Sequence, residues 1–365
     1  MCGNLGLYIH VPFCGRKCAY CDFYSVNWSK SAAVDYTAAV LRNIRHYGDA
    51  SRIVDTVYFG GGTPSLLTSQ QIGSIIAEIR SSFQLEDDAE ITLEANPCTL
   101  NGEKLAELRN IGVNRLSIGV QSMIDEELKL LGRVHDVKRA EQAVLDAAKA
   151  GFENISCDLM IALPDQTSES LRFSAERMTS LPVQHISAYI LKTEEGTAFD
   201  CDDIRSRLPD DDRTAELYLE MTELLEKQGF MQYEVSNFAK KGFESRHNCR
   251  YWKCEDYLGI GPAAHSCYEG KRFAVERDLA AFVSSKVQQV TVTDDSPCGF
   301  EEFAMLRLRL KEGLLLSDVE EHRNDILKKL PPLVKEGYAE TDGERIWLTA
   351  KGFLMSNSVI EYLVF

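Results

Sequence analysis

The chain lacks any apolar run long enough to cross a membrane. Its start, "MCGNLGLYIH", has neither the basic opening nor the apolar core of a secretory signal. Positive charge is also in deficit: 40 Lys and Arg face 56 Asp and Glu, a net charge of −16 over 365 residues. A nucleic-acid partner, which needs a basic face, is not expected, although a net count leaves room for a local basic pocket. No internal repeat, low-complexity tract or long linker interrupts the chain. A cytoplasmic protein is expected, and in that compartment its 11 cysteines should be thiols or metal ligands rather than disulfides.

Three of those cysteines stand together in "FCGRKCAYCDF" (13–23), at intervals CxxxC and CxxC. The others, Cys2, Cys98, Cys157, Cys201, Cys249, Cys254, Cys267 and Cys298, are scattered and read as small buried hydrophobes. A structural zinc site wants four ligands, commonly two CxxC-type pairs, and only Cys18 and Cys21 form such a pair. His10 or Asp22 could complete it. The alternative is an iron–sulfur cluster, which also takes four cysteines as a rule. Three thiolates would leave one iron open to a small ligand.

Short β-branched runs alternate with helical stretches through the first half. Strands are expected at 5–11, 53–60, 90–95, 114–120, 154–160 and 185–191, with helices near 30–47, 69–82, 102–111, 137–150, 168–180 and 211–228. The helix ending near 150 shows Ala140, Val144, Ala147 and Ala148 at helical spacing, with Gly151 as its stop. Six β-α units predict a parallel sheet with right-handed crossovers, and the pattern alone leaves a partial barrel and a doubly wound sheet both open. From about 298, helices at 299–310, 317–322 and 325–336 precede "GYAETDGERIWLTAKG" (337–352), where Asp-Gly signals a hairpin. Helices followed by such a hairpin suggest a winged-helix-like module.

"YFGGGTPS" (58–65) is not a phosphate loop, since no Gly-Lys-Ser/Thr follows, and it lacks the GxGxxG spacing of a dinucleotide fold. On its own it reads as a tight turn. Glu94, Gln121 and Asp158 fall at or just beyond the C-terminal ends of expected strands, the end that carries sites in α/β barrels. Carboxylates there can accept hydroxyl or ammonium protons, and Arg133 can grip a carboxylate with two parallel hydrogen bonds.

CxxxCxxC after a first strand resembles the radical S-adenosylmethionine (SAM) superfamily. "YIHVPFC", "GGGTPS", "LEANP", "LSIGVQS", "LGRVH" and "CDLMIALP", in that order, resemble its oxygen-independent coproporphyrinogen III oxidase group over nearly the whole chain. The resemblance implies an α/β fold: a partial (β/α)6 TIM-like barrel of the radical SAM type over 1–229, a connecting region over 230–297, and a smaller α+β, winged-helix-like module over 298–365. It implies a 4Fe-4S cluster on Cys14, Cys18 and Cys21, with the fourth iron chelating SAM. SAM contacts are implied at Tyr8, Gly61, Gly62, Thr63, Glu94, Gln121, Arg133 and Asp158, with Tyr20 beside the cluster.

Members of the group that act as oxidases carry a fourth cysteine two positions after the third, where this chain has Phe23, and a long N-terminal arm, where only thirteen residues precede Cys14. "CDF", "HNCRYW" (247–252) and "LTAKGFLMSNSVI" instead resemble the heme-chaperone branch. A His, a Tyr and a Trp close together are ordinarily core residues. With the resemblance added, His247 becomes the candidate heme ligand, since on a helix Tyr251 shares its face. His265, Cys249 and Cys254 are the alternatives, and Arg246 and Arg250 are candidates for the propionates. Three functions compete: a chaperone that delivers heme, a radical SAM enzyme on a tetrapyrrole, and, weakest for so acidic a chain, a nucleic-acid regulator. The first implies heme as cargo, apo-hemoprotein recipients such as respiratory enzymes, an electron donor for the cluster and transient association with a membrane surface.

Overall fold

Both faces of the first strand, β1 (Leu5–Val11), are buried apart from part of Tyr8, as a central strand of a parallel sheet requires. Five more strands follow in space in the order of the chain: β2 (Asp49–Gly61), β3 (Phe83–Ala95), β4 (Arg115–Gln121), β5 (Asn154–Ile161) and β6 (His185–Ile190), each parallel to its neighbour. The structure, a computed structural model, describes residues 3–365; Cys2 lies outside the described residues. A doubly wound sheet would reverse its strand order at a switch point. The unbroken order β1 to β6 instead curls the sheet into a partial barrel, which decides between the two architectures.

Helices α1 (Lys30–Tyr47), α2 (Ser69–Ser82), α3 (Gly102–Asn110), α4 (Val137–Lys149), α5 (Ser168–Thr179) and α6 (Asp211–Lys227) cover the outside. Their starts are written locally. Thr68 and Gln71 form a reciprocal capping box on α2, and Asp136 caps α4 by accepting from the Arg139 amide. α4 buries Val137, Ala140, Ala143, Val144 and Ala147 and ends before Gly151, whose φ of 89° suits a residue without Cβ.

β2 and β3 begin earlier than the sequence suggests. Asp49 pairs with Phe83 and Val54 with Leu85 before a register shift leads to Thr56 opposite Glu90. The polar stretches "DASR" and "QLEDD" concealed this extension, because pairing there is carried by the backbone and not by an apolar face.

Residues 230–297, expected as a connecting region, supply strands to both flanks of the barrel sheet. Tyr257–Ile260 pairs parallel to β1, and His265–Tyr268, Lys271–Val275 and Val290–Asp294 continue outward as an antiparallel meander. Asn237–Ala239 and Met231–Gln232 extend the other side, from β6. Beyond them a helix Phe300–Arg307, a helix Arg323–Lys335 and a three-stranded sheet (Leu314–Leu315, Arg345–Leu348, Ala339–Thr341) form the C-terminal module, which closes with helices Ala350–Leu354 and Ser356–Val364. Helix Ala350–Leu354 packs on α6, so the module leans on the barrel. No helix among the described residues is long and apolar enough to cross a membrane.

Gly352 lies against the Tyr338 carbonyl so closely that a Cβ would overlap the oxygen. Gly352→Ala should therefore destabilise the protein by about 1–3 kcal/mol, the usual cost of overpacking. Gly102→Ala, where a Cβ meets nothing within 4 Å, should be neutral or stabilising by about 1 kcal/mol or less. Denaturant unfolding of both variants checks the contrast.

Candidate functional site

After Val11 the chain turns into a two-residue strand, Phe13–Cys14, that pairs with Val26–Asn27 and closes the base of the cysteine loop. Val26 N donates to the Pro12 carbonyl at 2.7 Å and Trp28 N to that of Cys14 at 3.1 Å. The loop is pinned from outside as well: Ala19 N donates to the Leu131 carbonyl, and Phe199 N to that of Ala19. Cys14, Cys18 and Cys21 are half-buried free thiols. Among the described residues no three His, Cys, Asp or Glu side chains converge tightly enough to hold a single metal ion. The zinc alternative would need His10 or Asp22 as a further ligand. His10 is committed elsewhere, to the Tyr8 hydroxyl at 3.0 Å and the Tyr24 carbonyl at 3.4 Å, and burial pushes its pKa down to about 4. Asp22 is exposed. The three thiols lie on one loop at the cavity mouth, where a 4Fe-4S cluster would take one of them at each of three irons.

The loop roofs a cavity of about 350 Å³ at the C-terminal mouth of the barrel. All three cysteines line it, and so do Tyr20, Gly61, Gly62, Thr63, Glu94, Gln121, Arg133 and Asp158. A Cβ on Gly62 would stand 2.6 Å from the Phe13 carbonyl oxygen and 3.1 Å from Cys14 Sγ, so only glycine lets β2 pass under the loop. Gly62 N in turn donates to Val11 O at 2.8 Å, and Thr63 N to Phe13 O at 2.7 Å. Arg133 reaches across the mouth, donating to Gly119 O at 2.5 Å and approaching Cys18 Sγ at 3.3 Å, while its Nε is buried without a partner. Arg16 and Lys17 add positive charge at the rim, the local basic pocket hidden in an acidic total.

Glu94 accepts from the Tyr58 hydroxyl at 2.8 Å and the Gly61 amide at 3.2 Å. Burial raises its pKa to about 7 against the pull of those donors. Asp158 accepts from Ser117 at 3.3 Å, and burial raises it to about 6. Gln121 ends β4 with φ of 76°, a conformation that strains any residue with a Cβ. Ser117, Gly119, Met160 and Tyr189 also line the cavity and were not singled out from the sequence. Ser117 and Gly119 were findable, because inward-facing positions alternate along a barrel strand and both share the parity of Gln121. Tyr8 is not a lining residue. Its ring lies one layer deeper, against Tyr58 and His247.

The motif "HNCRYW" lies on helix Arg246–Trp252, which plugs the opposite end of the barrel, where Thr56 pairs with Gly6 near the start of β1. His247 is fully buried. Its Nδ1 shares a hydrogen bond with Thr56 at 2.9 Å, its Nε2 one with Tyr251 at 2.9 Å, and its ring stacks on Tyr58 at 5.2 Å. The reading of His247 as heme ligand is corrected by this geometry: neither nitrogen is free to meet an iron. Tyr251 does share its face, but it occupies the imidazole instead of flanking a porphyrin. Arg250 is likewise buried in an ion pair with Asp55 and does not point to solvent. Arg246 and Cys249 line a separate cavity of about 600 Å³ at this end.

A sequence profile described as the radical SAM superfamily matches residues 8–178, and one described as the HemN C-terminal domain matches 300–355. The chain belongs to the radical SAM superfamily, a protein class whose members imply a 4Fe-4S cluster and SAM. Within it, the chain is HemW-like. It is 36% identical to the heme chaperone HemW of Lactococcus lactis over 97% of this chain and 96% of that one, and 35% identical to the Escherichia coli heme chaperone HemW over 98% and 97%. Among solved structures, coproporphyrinogen III oxidase (HemN) from Escherichia coli superposes with a TM-score of 0.83 at 25% identity, covering 99% of this chain and 90% of the other.

Replacing Cys14, Cys18 or Cys21 by Ser should abolish cluster loading after anaerobic reconstitution, whereas Cys98→Ser and Cys201→Ser should leave iron and sulfide content unchanged. Electron paramagnetic resonance of the reduced protein checks this. Stoichiometric zinc with no cluster would overturn it.

Proposed function

We propose that Cys14, Cys18 and Cys21 hold a 4Fe-4S cluster, that SAM occupies the cavity beneath it, and that the protein binds heme beside this site for delivery to apo-hemoproteins. The observation that carries the heme reading is a groove of about 680 Å³ that shares Tyr20, Cys21, Phe23 and Tyr189 with the SAM cavity and runs onto the C-terminal module. Phe23 is 67% exposed there, a large aromatic held in water without a packing reason. Phe353 and Leu354 form the facing wall, and Lys192 and Arg309 bring cations suited to two propionates. A groove open to solvent suits a cargo that must leave again. Recipients such as respiratory enzymes, an electron donor for the cluster, and transient membrane contact belong to this reading.

A second reading, a coproporphyrinogen III oxidase on the same scaffold, draws support from the likeness to the Escherichia coli structure. Phe23, at the position of that group's fourth cysteine, favours the chaperone. The deciding experiment is heme titration of the reconstituted protein beside an anaerobic coproporphyrinogen assay with SAM and reductant. Arg309→Ala and Phe23→Ser should each weaken heme binding about tenfold, or about 1.4 kcal/mol, with unchanged iron content. His247→Ala should lower thermal stability and leave the Soret maximum of the heme complex where it is. Catalytic product formation would move the protein to the enzyme reading, and wild-type heme affinity in both groove variants would displace the groove.

SAM binding should carry a pH signature from Glu94. Its pKa of about 7 lies above the ordinary carboxylate range, so the apo site holds a proton that a hydroxyl-rich, cationic ligand must expel. Affinity should rise about tenfold from pH 6 to 8, with net proton release on binding, and Glu94→Gln should flatten this part of the profile. Calorimetry in buffers of different ionisation enthalpy measures the proton directly.

A further inference from the structure

Three thiols that neither the cluster nor the groove uses meet at the other end of β1 from Cys14. Cys267 stands in its strand opposite Tyr257, which pairs with Gly6 at the start of β1. Cys254 follows the motif helix, and its amide donates to the Tyr251 carbonyl at 3.4 Å. Cys298 precedes helix Phe300–Arg307, and its amide donates to Glu302 at 2.6 Å. Glu302 is ion-paired with Arg272 at 2.7 Å, and Arg272 stands in register opposite Cys267. Three separate segments are thus tied to one spot by backbone ladder, ion pair and cap.

Cys298 interacts with Cys254 on one side and Cys267 on the other. The contact with Cys298 lowers the pKa of Cys254, while Cys298 is pushed up to about 11 by the same contact. Cys254 and Cys298 both adopt left-handed backbone, with φ of 55° and 67°. At Cys254 this turn ends the motif helix, with Glu255 N donating to the Arg250 carbonyl at 3.0 Å, and at Cys298 it leads into helix Phe300–Arg307. Both are half-buried and reachable, whereas Cys267 is buried behind them.

We propose that Cys254 and Cys298 are a redox-active dithiol that exchanges with small-molecule disulfides of the glutathione class. The Cys254 thiolate attacks one sulfur of the disulfide, forming a mixed disulfide and expelling one thiolate. Cys298, giving up its proton, then attacks Cys254 Sγ, which closes the protein disulfide and expels the second thiol. One small-molecule disulfide is reduced to two thiols, and two protein thiols are oxidised. In a reducing compartment such bonds are transient and sensing, not structural. The bond would staple the end of the motif helix to the entry of the C-terminal module, the two parts between which residues 255–297 run.

The test equilibrates the anaerobic full-length protein across glutathione redox buffers, blocks free thiols and maps the peptides without reduction. A Cys254–Cys298 linked peptide that appears at the oxidising end and is lost on return to reduced glutathione is expected, with Cys98 and Cys201 unlinked and iron content unchanged. Cys298→Ser should abolish the link and leave Cys254 carrying a stable glutathione adduct, while Cys267→Ser should keep the link. Free thiols at Cys254 and Cys298 under full oxidation, a link only to Cys267, or a stable adduct on wild-type Cys254 would overturn the proposal. None of these readouts depends on heme.

Discussion

The Glu94 carboxylate is the constraint on which the rest of the site depends. It holds the Gly61 amide from one side and the Tyr58 hydroxyl from the other. Tyr58 stacks on His247, and His247 is fixed at both nitrogens by Thr56 and Tyr251. A continuous polar and aromatic column therefore runs from the plug helix at the closed end of the barrel to the glycine turn at its mouth. Thr56, Tyr58 and His247 are buried, so each needs its partner: a buried hydroxyl or imidazole left unpaired costs about 1–3 kcal/mol. Residues nearly 190 positions apart in sequence are in this way made to agree on where the Gly61 backbone sits.

Charge in the interior follows the same rule. Glu90 accepts the backbone amides of Arg246 and His247 at 3.1 and 3.0 Å, so the start of the plug helix is tied to β3. Arg115 is the largest fully buried side chain, and Glu90 is the charge that acts on it most strongly. Arg250 pairs with Asp55 on β2. These ions could be replaced by apolar side chains only together, because removing one strands the other in a medium that solvates it poorly. The plug is consequently specified by its charges as much as by its shape, and the barrel needs no seventh and eighth strand to be closed at that end.

What the sequence disclosed and what it hid divide along this column. The mouth was legible as a place, because a cysteine-rich loop, a glycine turn and strand-end carboxylates are local patterns that the strand order brings to one end. Eleven of the residues singled out there line a single cavity. Strand order was legible only in part: alternation of β and α units predicts a parallel sheet, but the direction of its curl becomes visible only once β1 to β6 are seen as sequential neighbours. The closed end was not legible. "HNCRYW" looks the same whether its imidazole faces a ligand or a core, and the partners that decide, Thr56, Tyr58 and Tyr8, lie far upstream. Cys254, Cys267 and Cys298 likewise looked scattered, since only an antiparallel ladder and an Arg272–Glu302 ion pair bring them together.

The same reasoning explains how one scaffold can serve an oxidase in one relative and a heme chaperone in another. The column, the glycine turn and the cysteine loop build the cavity at the mouth, and in the proposed reading they would hold the cluster and SAM. In that reading discrimination would fall to what stands just outside, where Phe23, Tyr189 and the C-terminal module border an open groove. An enzyme must hold its substrate in one geometry against the reacting centre and exclude water. A carrier must instead bind broadly and release, which an exposed aromatic and two cations on a solvent-facing wall permit. The fold therefore sets the place of the site, and in the proposed reading a few side chains at its rim set what it is used for.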